Sequence, residues 1–151
     1  MHVGKIDSNN LVVETLIIKL EKIISNNGTV TEASCQAWCA PRFGADFTYI
    51  PENVSNNLPD VGMTFDRAKM AFHEGLPLDI EGNECTSWVW NTEHKKFHAP
   101  HIHGNTAGLK QILWRESNSR WYARVKGETN GNYFTWNTTS SAWEDTGSAT
   151  L

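Results

Sequence analysis

Apolar residues recur at positions 13, 16, 17, 20, 23 and 24, the i, i+3, i+4, i+7 spacing of one helical face. Ser8, Asn9 and Asn10 offer an N-cap and Asn26-Asn27-Gly28 a stop, so the pattern predicts a helix over 8–25. Leu11, Val12 and Ile18 widen its apolar stripe. Such a stripe suits packing on the domain's own sheet. Alternatively Val13, Leu16 or Ile17, Leu20, and Ile23 or Ile24 take a and d positions for two heptads and self-associate. A second helix is expected over 31–39, capped by Thr29 or Thr31 and ended by Pro41. A third is expected over 64–75, with Thr64 as N-cap, Asp66 at the positive end of the dipole and Gly75 as the stop.

Elsewhere the period is two. Residues 47–50 read as a short strand, followed by a punctuated stretch with Pro51, Asn53, Asn56, Asn57, Pro59 and Gly62. Residues 76–80 read as a strand entering the Glu81-Gly82-Asn83 turn. Residues 85–91 alternate, with Trp88 and Trp90 on one face. Residues 112–116 meet 120–126 across Ser117-Asn118-Ser119, and Glu128-Thr129-Asn130-Gly131 makes the next turn. Residues 133–137 then meet 142–144 across a Thr/Ser turn. The expected fold class is α+β, N-terminal helices packed on a C-terminal antiparallel β-meander. It is read as a single domain over 1–151, with a helical part over 1–62 and a helix plus Trp-rich sheet over 63–151.

Composition adds to this picture. The hydrophobic fraction of 39% and charged fraction of 20% are low, and Asn, Ser, Thr and Gly fill the difference, which favours turns and β-structure. A net charge of −4 without any polybasic run argues against a nucleic-acid polymer as partner. The stretch 11–24 is interrupted by Glu14, Lys19, Glu21 and Lys22, so no membrane span is expected there. The first seven residues lack the basic and apolar regions of a signal peptide, so the expectation is synthesis in a cytoplasm. Cys35, Cys39 and Cys85 are an odd set without a disulfide framework and read as buried reduced thiols.

Residues 88–143 concentrate the candidate chemistry, holding six of the seven tryptophans and four of the six histidines. Trp88, Trp90, Trp114, Trp121, Trp136 and Trp143 are either core and edge residues or an exposed platform on which a sugar, a base or another aromatic stacks. His98, His101 and His103 fall within six residues. On a strand, 101 and 103 share a face and can meet one metal, zinc or iron, or meet their copies on the axis of a trimer. A polar strand also carries H-x-H without a metal. Catalytic motifs are absent: no G-x-S-x-G, P-loop, G-x-G-x-x-G or H-E-x-x-H occurs. Cys85 with a histidine would form a nucleophile pair on paper. Two carboxylates for glycoside hydrolysis could come from Glu81, Glu84, Glu93 and Glu116. Spacing selects none of these.

Phe134, Trp136 and Asn137, the Thr/Ser turn, then Trp143 followed by Glu144 and Asp145 resemble a pattern of tail-fibre and adhesion segments in tailed-phage virion proteins. His101-Ile102-His103 matches the H-x-H pairs that such fibres place at trimer axes. The resemblance covers about a dozen residues. It implies a non-enzymatic binding or structural protein that attaches to a host surface, with further copies of the chain, carbohydrate or other virion proteins as partners. Residues 64–145 also resemble small phage anti-defence domains that sequester cyclic nucleotides, through a capped helix, a Trp-bearing strand and a closing Trp turn. Those domains carry basic residues after the helix, where this chain has Leu76-Pro77-Leu78-Asp79. A metal-dependent hydrolase on the histidine cluster is the third expectation.

Overall fold

A computed structural model describes residues 1–24, 28–55, 57–127 and 130–151. Asn26 and Asn27 of the expected helix stop, Asn56, and Glu128 and Thr129 of the expected turn lie outside them. The described residues form a mixed α+β structure that is mostly β, with eleven strands in antiparallel sheets and three helices. No helix among them is long and apolar enough to cross a membrane. The chain divides into two compact units, Met1–Gly75 with Asn91–Lys96, and Leu76–Trp90 with Phe97–Leu151.

In the first unit, β1 (His2–Ile6) pairs with β2 (Val12–Ile17) on one side and β3 (Thr48–Pro51) on the other. The helix expected over 8–25 is therefore a hairpin followed by α1 (Leu20–Ile23), a single turn. Two physical reasons account for the difference. Val12, Val13, Thr15, Ile17 and Ile18 are β-branched and lose side-chain freedom in a helix. The Ser8-Asn9-Asn10 cluster serves a turn: Asp7 Oδ1 accepts from the N–H groups of Asn9 at 2.8 Å and Leu11 at 2.9 Å, and Asn10 is left-handed at φ 62.

The helix α2 (Glu32–Phe43) starts at Thr31, whose hydroxyl and that of Ser34 form a reciprocal capping box. It continues past Pro41, which was expected to end it, and stops at Gly44. Gln36 on α2 donates to Phe47 O and accepts from Tyr49 N, so a side-chain amide finishes the free edge of β3. Val3, Ile18, Ile23, Cys35, Cys39 and Tyr49 form one apolar cluster. A short α3 (Glu52–Ser55) follows β3.

The helix expected over 64–75 is a second hairpin, β4 (Thr64–Asp66) with β5 (Ala71–His73). Asp66, expected to act on a helix dipole, instead accepts from the N–H groups of Ala68 and Lys69 in the turn. Phe65 and Phe72 are seven residues apart, a spacing that also suits one helical face. Here they are directly opposed cross-strand partners with ring centroids 5.0 Å apart. They join Ile6, Val12 and Ile50 in a second apolar cluster. Gly4 makes room for this packing, because a Cβ there would lie 2.8 Å from the Phe72 ring.

In the second unit, residues 76–80 do not form the expected strand; Leu78 makes one isolated bridge to Glu84. Only the end of the expected strand 85–91 is regular, as β6 (Val89–Asn91), which pairs with β7 (Lys96–His98). The meander follows: β8 (Leu109–Arg115), a 3₁₀ turn (Glu116–Asn118), β9 (Arg120–Val125), β10 (Tyr133–Asn137) and β11 (Ala142–Asp145), in sheet order β11-β10-β9-β8.

Two carboxylates tie the segment before β6 to this sheet. Asp79 accepts from the backbone N–H groups of Glu81, Asn83 and Glu116. Glu116 accepts from Ser87 N at 2.6 Å, Ser87 Oγ, Thr86 Oγ1 and the indole N–H of Trp114 at 2.7 Å. Burial disfavours the charged form of each, but these donors outweigh it and hold both carboxyls below their usual pKa range. Cys85 is buried beside them, and burial, with the negative charges of Glu116 and Asp79, pushes its thiol up to about 11.

Replacing Gly4 with Ala is expected to destabilise the first unit by about 1–3 kcal/mol through overpacking against Phe72, as read by chemical denaturation. Because folding depresses the pKa of Asp79 and Glu116, their contribution is full above the unfolded carboxyl value of about 4 and lost as pH falls below it. Acid titration followed by tryptophan emission should show the second unit losing stability in that window. Glu116→Gln should flatten the dependence and lower stability at neutral pH by on the order of 2 kcal/mol.

Candidate functional site

Register sets the tryptophans in a row. Trp114 on β8 is directly opposite Trp121 on β9, and Trp136 on β10 is opposite Trp143 on β11. Phe134 is opposite Ala123, so Trp136 and Trp121, each two residues further along, share that face. Trp114 and Trp121 have ring centroids 5.2 Å apart, and Trp136 and Trp143 5.5 Å. Trp88 packs on both Trp114 and Trp121. Trp90 packs edge-on to Phe97 across the β6–β7 hairpin instead. Trp114 is only 4% exposed, so it acts as core.

The row holds the histidine loop. Trp121 Nε1 donates to His101 O at 2.6 Å, and Trp143 Nε1 donates to Asn105 O at 3.1 Å. The His103 ring lies 4.8 Å from that of Trp121 and 5.9 Å from that of Trp143. Gly104 packs so closely on Trp136 that a Cβ would come within 2.4 Å of the indole. The indole faces are thus occupied in part by the chain's own loop. Ile102 is left 86% exposed at its apex.

His98, His101 and His103 are not brought together as the expected metal-ligand set: among the described residues, no group of three or more His, Cys, Asp or Glu is placed to hold a metal ion. His98 ends β7, whereas His101 and His103 lie beyond Pro100 in irregular chain, where strand alternation does not apply. The ring of His103 is engaged by indoles, and His101 faces a recess.

That recess, of about 450 Å³, lies at the end of the sheet between the Glu116–Asn118 turn and the β10–β11 turn. Trp121, Trp136 and His101 provide its aromatic lining, and Arg120 and Glu144 its charges. Six hydroxyl or amide side chains complete it: Asn118, Ser119, Thr135, Asn137, Thr138 and Thr139.

Part of this lining is already committed. Asn118 donates to Tyr122 OH, Thr135 Oγ1 to Trp121 O, and Asn137 Nδ2 and Ser140 Oγ both to Glu144 Oε1. Those last two bonds, outweighing burial and assisted by the charge of Arg120, hold the Glu144 carboxyl below its usual range. Ser119, Arg120, Thr138 and Thr139 make no side-chain hydrogen bond among the described residues.

Comparison with protein-family models, curated proteins and solved structures finds no match to the chain.

The site therefore rests on its geometry. Among the lining residues Glu144 is the one carboxylate, whereas glycoside hydrolysis through two carboxylates requires a partner across the sugar. Glu81, Glu84, Glu93 and Glu116 are not in the lining. The raised pKa and burial of Cys85 suppress its thiolate, the form a nucleophile needs. Of the six candidate tryptophans, Trp121 and Trp136 reach the recess. The sequence reading did not single out Ser119, Arg120, Thr138 or Thr139. Ser119, Thr138 and Thr139 fell in the two predicted turns at this end of the meander, and Arg120 at the first position of the predicted strand 120–126.

Gly104→Ala is expected to lift the loop from Trp136, increasing hydrogen exchange and proteolysis over 99–108 while the sheet stays folded. Trp143→Phe keeps an aromatic ring of smaller size but loses the bond to Asn105 O, and should cost at least about 1 kcal/mol with the same local signature.

Proposed function

We propose that the chain is a non-catalytic binding protein whose recess takes a carbohydrate, the role of a virion component that attaches to a host surface. The observation that carries this reading is the set of uncommitted polar side chains around the recess, with Trp121 and Trp136 in the same lining. A pyranose has apolar C–H faces that stack on indole and a rim of hydroxyls that needs donors and acceptors at fixed positions. Ser119, Thr138 and Thr139 offer hydroxyls of both kinds, and Arg120 offers donors.

The tail-fibre resemblance supports the same role, because the β10–β11 hairpin that carries it also supplies Trp136, Asn137, Thr138, Thr139 and Glu144 to the recess. The cyclic-nucleotide alternative loses one of its supports, since a β-hairpin stands where that resemblance requires a capped helix.

Titrating tryptophan emission with a panel of oligosaccharides and with cyclic nucleotides tests the proposal. A saturable response to saccharide is expected, and the double variant Thr138→Ala, Thr139→Ala should weaken it about tenfold. A response to cyclic nucleotides alone, or to neither class, would overturn it.

A further inference from the structure

The charge around the recess narrows the ligand class. Arg120 opens β9 directly opposite Arg115 on β8, and like charges at such a pair are destabilising. Arg115 is compensated: its guanidinium pairs with Glu81, with Nε at 2.8 Å from Oε1. The Arg120 guanidinium makes no hydrogen bond or ion pair among the described residues, and its charge acts on Glu144 from beyond ion-pair distance. Glu144, on the same recess wall, is held by Asn137 and Ser140 instead.

The imbalance is regional. Over 109–125 the chain carries Lys110, Arg115, Arg120 and Arg124 against Glu116 alone, and the carboxylate of Glu116 is spent on Trp114, Thr86 and Ser87. In a chain with net charge −4, this concentrates positive charge on two adjacent strands. An exposed arginine whose five side-chain donors make no hydrogen bond or ion pair suits a bidentate anion.

Resting on the carbohydrate reading, we propose that the recess is selective for an acidic saccharide, whose carboxylate or sulfate docks on Arg120 in the recess that Trp121 and Trp136 also line. A planar carboxylate and a tetrahedral sulfate can each offer two oxygens to the guanidinium fork. Ser119 and Thr139 hydroxyls remain for the neighbouring ring hydroxyls.

Isothermal titration with three probes on one backbone tests this: a uronic-acid oligosaccharide, its carboxyl-reduced neutral counterpart, and that counterpart sulfated. The wild-type chain should bind one or both acidic probes at least tenfold more tightly than the neutral one, and the stronger acidic probe identifies the anion. Arg120→Gln should abolish the tenfold difference between acidic and neutral probes, and Arg120→Lys should restore it in part, because charge survives without the fork. Rising salt should weaken acidic binding alone. Equal binding of neutral and acidic probes would overturn the acidic selectivity and leave the carbohydrate reading standing. An acidic preference that persists in Arg120→Gln would overturn the role of Arg120. No binding of any probe would overturn both proposals.

Discussion

Cross-strand register is the constraint on which the C-terminal unit depends. Because Trp114 faces Trp121 and Trp136 faces Trp143, the largest side chains of four successive strands stand on one face. A slip of one residue in any pair would send its indole to the other side of the sheet. Fixed there, the indoles give their N–H groups to specific acceptors. Trp114 reaches Glu116 on its own strand's turn, and Trp121 and Trp143 reach two carbonyls of the histidine loop. One row of residues thereby stabilises the sheet and positions a loop that has no regular structure of its own.

The carboxylates continue this dependence on the other flank. Glu116 takes the Trp114 N–H and also binds Ser87 and Thr86, so the indole and the 79–87 segment share one acceptor. Asp79 closes the circuit by accepting from the backbone of Glu116 itself. Such networks are worth more when complete than their pairwise parts, and each buried acceptor left unpaired would carry a desolvation cost. This accounts for two ionised carboxylates beside a cysteine whose own ionisation they oppose.

The meander was legible because several signals coincided. Alternation and Asn- and Ser-rich turns between tryptophan-bearing segments pointed to strands over 112–116, 120–126, 133–137 and 142–144. The N-terminal unit was not, because its apolar spacing fits two periods at once. Residues 13, 16, 17 and 20 trace a helical stripe, yet the same segment is dense in β-branched residues, and its partner strand is only five residues long with Gly4 at its centre. Phe65 and Phe72 show the same ambiguity, since a seven-residue separation places them together in either a helix or a short hairpin. Tertiary pairing decided both cases. The recess was legible only as two turns, since Arg120 acquires meaning from Arg115 opposite it and from Thr138 and Thr139 arriving from another hairpin.

The division of polar groups at the recess bears on what kind of site it is. Asn118, Thr135, Asn137 and Glu144 spend their hydrogen bonds on the chain itself, which fixes the wall of the recess. Ser119, Arg120, Thr138 and Thr139 keep theirs, so a ligand of the proposed kind would break no existing side-chain bond there. Preorganisation of this type lowers the entropic cost of binding without requiring reactive groups. A depressed carboxyl at Glu144 fits the same division: it stays ionised as an acceptor and is poorly suited to donate a proton near neutral pH. The lining accordingly combines hydrogen-bond donors and acceptors with Trp121, Trp136, the His101 imidazole and the guanidinium of Arg120.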